Sequence, residues 1–167
     1  AMNFDFLKEQ DGYYDLFADA CFEAEKIFAT SPAMCAVGCR KALELAVKWV
    51  YAADPSISMP YKDNLASLLH EYSFKQCVDE RVWRPLIGVN KLGNLSVHTD
   101  RRVTASDAMI SLRSLFNFVD WIDYCYGKNY VERTFDEKKV PPKGVPLTRS
   151  QVAAIKAQGA IVAQKDK

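Results

Sequence analysis

Ser31-Pro32-Ala33-Met34-Cys35-Ala36-Val37-Gly38-Cys39-Arg40-Lys41-Ala42-Leu43-Glu44-Leu45-Ala46-Val47-Lys48-Trp49-Val50-Tyr51 starts like a helix and contains no breaker except Gly38. Ser31 is a good N-cap, and Pro32 suits the first helical position, where no N–H is needed. The segment is apolar almost all round. Only Arg40, Lys41, Glu44 and Lys48 interrupt it, and 40, 44 and 48 fall on one strip at four-residue steps. Such a helix belongs at the centre of a bundle, with its polar strip at a rim or cleft. Glu44 before Lys48 is the favourable order for a pair one turn apart; Arg40 before Glu44 is the weaker one. The charges also exclude a membrane span, which needs roughly 18 to 20 uncharged residues.

Working outward, Tyr13, Leu16, Phe17, Ala20, Cys21, Ala24, Ile27 and Phe28 recur at helical spacing, predicting a first helix from Asp11 to about Ala29. Its other face carries Asp11, Asp15, Asp19 and Glu23, a like-charge ladder that reads as a solvated face or as a docking surface for a basic partner. Downstream of the turn-rich 54–60 loop, 64–71 reads as a short helix with Leu65, Leu68 and Leu69 inward and His70 at its exposed end. Lys75 to Thr99 reads as helical, with Pro85 kinking or dividing it. Thr104-Ala105-Ser106-Asp107 opens a last long helix that stops at Gly127. Phe118, Trp121 and Cys125 form a second apolar strip on that helix. Either the helix is sandwiched inside the bundle, or Phe118 and Trp121 are an interface.

The fold expected is all-α, a compact four-to-five-helix bundle with a C-terminal linker and partial helix. Residues 1–10 read as an N-terminal extension, 11–128 as the bundle, 129–147 as a linker, and 148–167 as the start of a helical connector cut from something longer.

With 167 residues, 49% apolar and 26% charged, the composition is that of one ordinary globular domain. Residues 1–127 carry 13 Lys/Arg against 17 Asp/Glu, whereas 128–167 carry 9 against 4, so the body is not a basic, DNA-hugging one. Cys21, Cys35, Cys39, Cys77 and Cys125 show no CxxC spacing. Cys35 and Cys39 lie one turn apart, where a metal site with His98 competes with the plainer reading of buried free thiols. No metal is expected. No secretory signal is visible, so the cytoplasm is the expected compartment. Phosphate-binding loops, dinucleotide fingerprints, nucleophile elbows and HExxH zinc motifs are all missing from the sequence.

Lys91-Leu92-Gly93-Asn94-Leu95-Ser96-Val97-His98 places an Asn and one of two histidines one turn apart in an apolar helical pattern. Gly93 costs roughly 1 kcal/mol against Ala in a helix interior, which points to close packing or to an opening at Asn94 and His98. Arg40, Glu44, Asn94 and His98 form the candidate polar cluster. With Lys91, the Asn94/His98 turn has the groups for metal-independent RNA cleavage, a cation to hold phosphate and an imidazole to move a proton. The alternative role is packing, with Asn94 and His98 cross-linking helices by hydrogen bonds. Arg101 and Arg102 are candidates for nucleic-acid contact.

Phe4-Asp5-Phe6-Leu7-Lys8, Ala24-Glu25, Arg40-Lys41-Ala42-Leu43-Glu44 and the Gly93-Asn94-x-x-x-His98 string resemble the helical N-terminal domain of many type I restriction enzyme R subunits. The similarity covers residue 3 to about 128. That family is of uncharacterised function and is usually grouped with the HEPN superfamily of helical bundles. The resemblance implies a non-catalytic binding and assembly module within an ATP-dependent DNA translocase and endonuclease. Its partners would be the rest of the R subunit, the methyltransferase and specificity subunits, and DNA through the complex, with no membrane. ATP and Mg would serve the parent protein, and no cofactor this segment. HEPN ribonucleases carry an Arg, then four to six residues, then the His, commonly with Arg-Asn at the start of the string. Gly93 stands in that place, and Lys91 is the one substitute. The ribonuclease alternative would pair two motifs across a homodimer.

Overall fold

The computed structural model describes residues 1–98, 103–142, 148–150, 152–154 and 157, with backbone alone for 97 and 98. Among them there is no strand, and the fold is all-α. A 3-10 helix, Asn3–Glu9, precedes α1 (Asp15–Ile27), α2 (Pro32–Ala53), the short α3 (Leu65–His70) and α4 (Tyr72–Cys77), α5 (Glu80–His98) and α6 (Ala105–Tyr126). No helix of the described residues is long and apolar enough to cross a membrane.

The central helix starts as its sequence dictates: Ser31 Oγ accepts from the Met34 N–H at 3.1 Å, with Pro32 in the first turn. The capping box of α6 closes likewise, Asp107 N–H on Thr104 Oγ1 and Thr104 N–H on Asp107 Oδ2. α2 is the hub, packed against α1, α5 and α6, and α5 and α6 pack on each other. α1 runs antiparallel to α2: Tyr13 meets Trp49 at one end, and Ala24 meets Gly38 at the other. A Cβ at Gly38 would lie 3.2 Å from Ala24 Cβ, so the two backbones touch there because the side chain is missing. Leu43, Val47, Leu115 and Val119 lie fully buried in the shared core, each contributing about 1.5–3 kcal/mol by removal from water.

Boundaries depart from the sequence reading for local reasons. α1 begins at Asp15 rather than Asp11, because Asp11 (φ 52°) and Gly12 (φ 81°) take left-handed conformations that turn the chain into the helix. Leu16, read as core, is 51% exposed. Pro85 does not divide the fourth helical region. The break falls at Val78, which is extended, and Asp79 Oδ1 accepts from the Arg81 N–H at 2.8 Å as the chain re-enters helix. Pro85 sits within α5 on its solvent side, where the Arg81 carbonyl it leaves unpaired can reach water.

The segments set apart at both ends of the bundle pack on it. Phe4 and Leu7, in the expected extension, are fully buried, and Phe4 and Phe6 both meet the Phe116 ring edge-on. Residues 128–142 fold back as a strap, with Phe135 against Phe116 and Val140 buried. Both ends fill space that the four long helices leave open around α6.

Candidate functional site

The polar strip of α2 meets α5 in a buried seam. Arg40 is 1% exposed, and its Nε donates to Asn90 Oδ1 at 2.7 Å. Asn94, one turn on, directs its Nδ2 to the same oxygen at 3.5 Å. Between these two residues Gly93 lies beneath the Arg40 stem: a Cβ there would fall 2.5 Å from Arg40 Cβ and 2.5 Å from its Cδ. On the other side Glu44 Oε1 is 3.4 Å from Lys48 Nζ, the favourable order expected from sequence. Burial lowers the Arg40 pKa to about 10, and the Glu44 carboxylate draws it back up, so the guanidinium stays charged at neutral pH.

The chemistry open to this seam is limited by its burial. The Arg40 guanidinium is walled in by α5 and does not reach a phosphate from solvent. Lys91 is exposed, whereas Asn90 and Gly93 on either side of it in α5 are buried. The seam therefore joins Arg40, Asn90, Gly93 and Asn94, with Glu44 and Lys48 continuing the row, and leaves Lys91 outside. The His98 side chain, Arg101 and Arg102 lie outside the described residues.

A family model described as a domain of unknown function (DUF4145) matches residues 22–138. The chain belongs to the DUF4145 family. No curated protein and no solved structure matches it. The DUF4145 segment takes in α2, α5, α6 and the strap as far as Lys138, hence the whole Arg40 seam, and leaves the N-terminal 3-10 helix outside.

Within the DUF4145 segment the Phe118 and Trp121 strip is not an interface. Phe118 is fully buried beneath Phe74 of α4, and Trp121 stacks on Phe118 at 5.8 Å with Tyr126 edge-on. Phe74 of the short helix α4 supplies a second neighbour for the wide apolar face of α6. Cys125 of that strip is exposed, as is Cys77, whereas Cys21, Cys35 and Cys39 are buried. Burial pushes the Cys39 thiol well up, with Cys35 adding to the shift. Among the described residues no group of His, Cys, Asp and Glu fits a metal ion.

Three polar residues of the DUF4145 core escaped the sequence reading. Asn90, the direct partner of Arg40, stands four residues before Asn94, a spacing that marks one helix face. Glu25 is fully buried and accepts from the Asn3 N–H (3.0 Å), Asn3 Nδ2 (2.8 Å) and the Phe4 N–H (3.3 Å); its signal was a carboxylate inside an apolar stripe. Asp123, also fully buried, accepts from the Tyr14 hydroxyl at 2.6 Å.

Proposed function

We propose that this chain is a non-catalytic binding and assembly module at the N-terminus of a type I restriction enzyme R subunit. The observation that carries the non-catalytic part is the burial of Arg40. The one cation of the candidate cluster held by α5 is 1% exposed, tied to Asn90 and packed on Gly93, so its work is to fix α2 on α5. Gly93 stands where a HEPN ribonuclease carries its arginine, and that space is taken by the Arg40 stem. Restriction by the parent would draw on ATP and Mg bound elsewhere. Cleavage and translocation belong in this reading to the rest of the R subunit, working with the methyltransferase and specificity subunits in the cytoplasm.

With Phe118 and Trp121 inside the core, the docking surface moves to the acidic ladder. Asp15, Asp19 and Glu23 are all exposed along α1, with Leu16 beside them, and Asp11 is exposed in the turn that precedes the helix. An apolar side chain among carboxylates suits a basic surface with a small apolar hollow. The experiment is pull-down of the remaining R subunit by wild type and by a D15K/D19K/E23K variant. Loss of capture by the variant, with an unchanged melting curve, is the expected outcome; undiminished capture overturns the assignment. A metal-free RNase assay of wild type and His98→Ala addresses catalysis separately. RNA cleavage that vanishes in the variant overturns the non-catalytic reading.

A further inference from the structure

The strap carries one arginine, and its surroundings are more specific than a surface ion pair. Arg133 Nη1 lies 3.0 Å from Asp120 Oδ1 and 3.1 Å from Asp123 Oδ2, two carboxylates from successive turns of α6. The guanidinium carbon sits 3.9 Å from the centre of the Phe6 ring and 5.1 Å from that of Tyr130. Each carboxylate is oriented by a phenol: Tyr14 donates to Asp123 Oδ1 at 2.6 Å and Tyr130 to Asp120 Oδ2 at 3.2 Å. The Arg133 side chain is 17% exposed, so one edge of the site opens to water.

From this geometry we infer that Asp120, Asp123 and Phe6 form the fixed part of a binding site for a guanidinium group, that Tyr130 of the strap closes it, and that Arg133 occupies it in cis as a detachable latch for the strap. One guanidinium nitrogen, Nη1, bridges two carboxylates while the planar group lies against aromatic faces, a surround that matches arginine in shape and charge. A lysine ammonium could place its one nitrogen at the position of Nη1, but it has no flat face to lay against the Phe6 and Tyr130 rings, so the stacking is what selects a guanidinium. The strap itself is irregular backbone at this point. Between Lys128 and Asp136 it has neither helix nor strand, and Val131, Glu132 and Thr134 are exposed. Its other fastenings include the Asn3 bonds to Asp136, Phe135 on Phe116, Tyr130 on Tyr124, the Arg113–Glu137 pair and the buried Val140. Asp123 is fully buried while the strap is in place, and without Arg133 the Tyr14 hydroxyl would be the side-chain partner left on its carboxylate, so the site loses its cation when the strap leaves. The guanidinium is thus the element whose exchange opens or closes the strap.

The experiment is chemical rescue of Arg133→Ala. Chymotryptic cleavage after Tyr130 is expected to accelerate on the order of tenfold when the buried pair is broken. Millimolar methylguanidinium should restore protection and raise the melting temperature of the variant. Methylammonium at equal ionic strength should do neither, and adding Asp120→Asn should abolish the rescue. Arg133→Lys, which keeps the charge, is expected to be cleaved nearly as fast as Arg133→Ala. Should Arg133→Ala fail to fold, recovery of helical circular dichroism on adding methylguanidinium is the supporting result. Equal rescue by both cations, no rescue by either, or a lysine variant as protected as wild type overturns the inference.

Discussion

Gly93 of α5 faces the aliphatic stem of Arg40 of α2 so closely that a single methyl group at position 93 would overlap both Arg40 Cβ and Arg40 Cδ, at 2.5 Å each. The glycine is kept by packing, since a helix interior otherwise penalises it by about 1 kcal/mol. Gly93→Ala should therefore destabilise by about 1–3 kcal/mol despite its better helix propensity. In a double-mutant cycle with Arg40→Ala the two costs should be strongly sub-additive, because the smaller neighbour removes the overlap. Chemical denaturation of the four proteins checks this. Additive losses would show that Arg40 does not lie over Gly93.

Gly88, five residues earlier on the same helix, provides the contrast. It is exposed, and nothing stands within 4 Å of a Cβ built there. Gly88→Ala should stabilise the fold by about 0.5–1 kcal/mol, read as a higher midpoint in urea.

Phe118→Ala should cost about 3–5 kcal/mol, the range for emptying a fully buried aromatic site. The residue stacks on Trp121 and meets Phe74, so the loss should appear as a lower unfolding midpoint rather than as altered association. A melting curve equal to that of wild type would place Phe118 at the surface.

Two carboxylates should respond to acid in opposite directions. Hydrogen bonds from the Ser56 hydroxyl and then the Tyr126 hydroxyl hold Asp54 below the usual carboxylate range. Its stabilisation is complete above that range and is lost as pH falls through the lowered value. Burial holds Glu25 above the usual range, against the N–H bonds of Asn3 and Phe4. The folded state therefore takes up a proton at Glu25 before the unfolded chain does, and this group adds stability as pH falls. Thermal melts between about pH 3 and pH 7 should show a flatter acid decline for Asp54→Asn than for wild type. The deficit of Glu25→Gln should grow over the same descent. The reverse pattern would refute the assigned environments.

The four-helix plan was legible because α2 announces both its start, at Ser31-Pro32, and its central place, through an apolar surface interrupted by one strip. The Arg40–Glu44–Lys48 row and the Asn94 turn were also visible, since helical spacing alone puts them on shared faces. The meeting of Arg40 with Asn90 was not, because which faces of α2 and α5 oppose each other depends on the packing of both helices. The burial of Phe118 was hidden for a related reason: its cover, Phe74, stands in α4, a six-residue helix too short to show a clear apolar stripe. The strap escaped because its anchors, Arg133, Phe135 and Val140, follow no period, and irregular backbone leaves none to read.

Asn3 holds Glu25 with one side of its amide and exchanges two hydrogen bonds with Asp136 through the other, at 2.9 Å and 2.8 Å. These partners are separated by 133 positions. On the ribosome, then, the 3-10 helix at Asn3 must wait for nearly the last part of the domain before its contacts are complete. Until Asp136 has cleared the exit tunnel, the cavity around Phe116 stands open and greasy, which is the stage at which a chaperone would find most to grip.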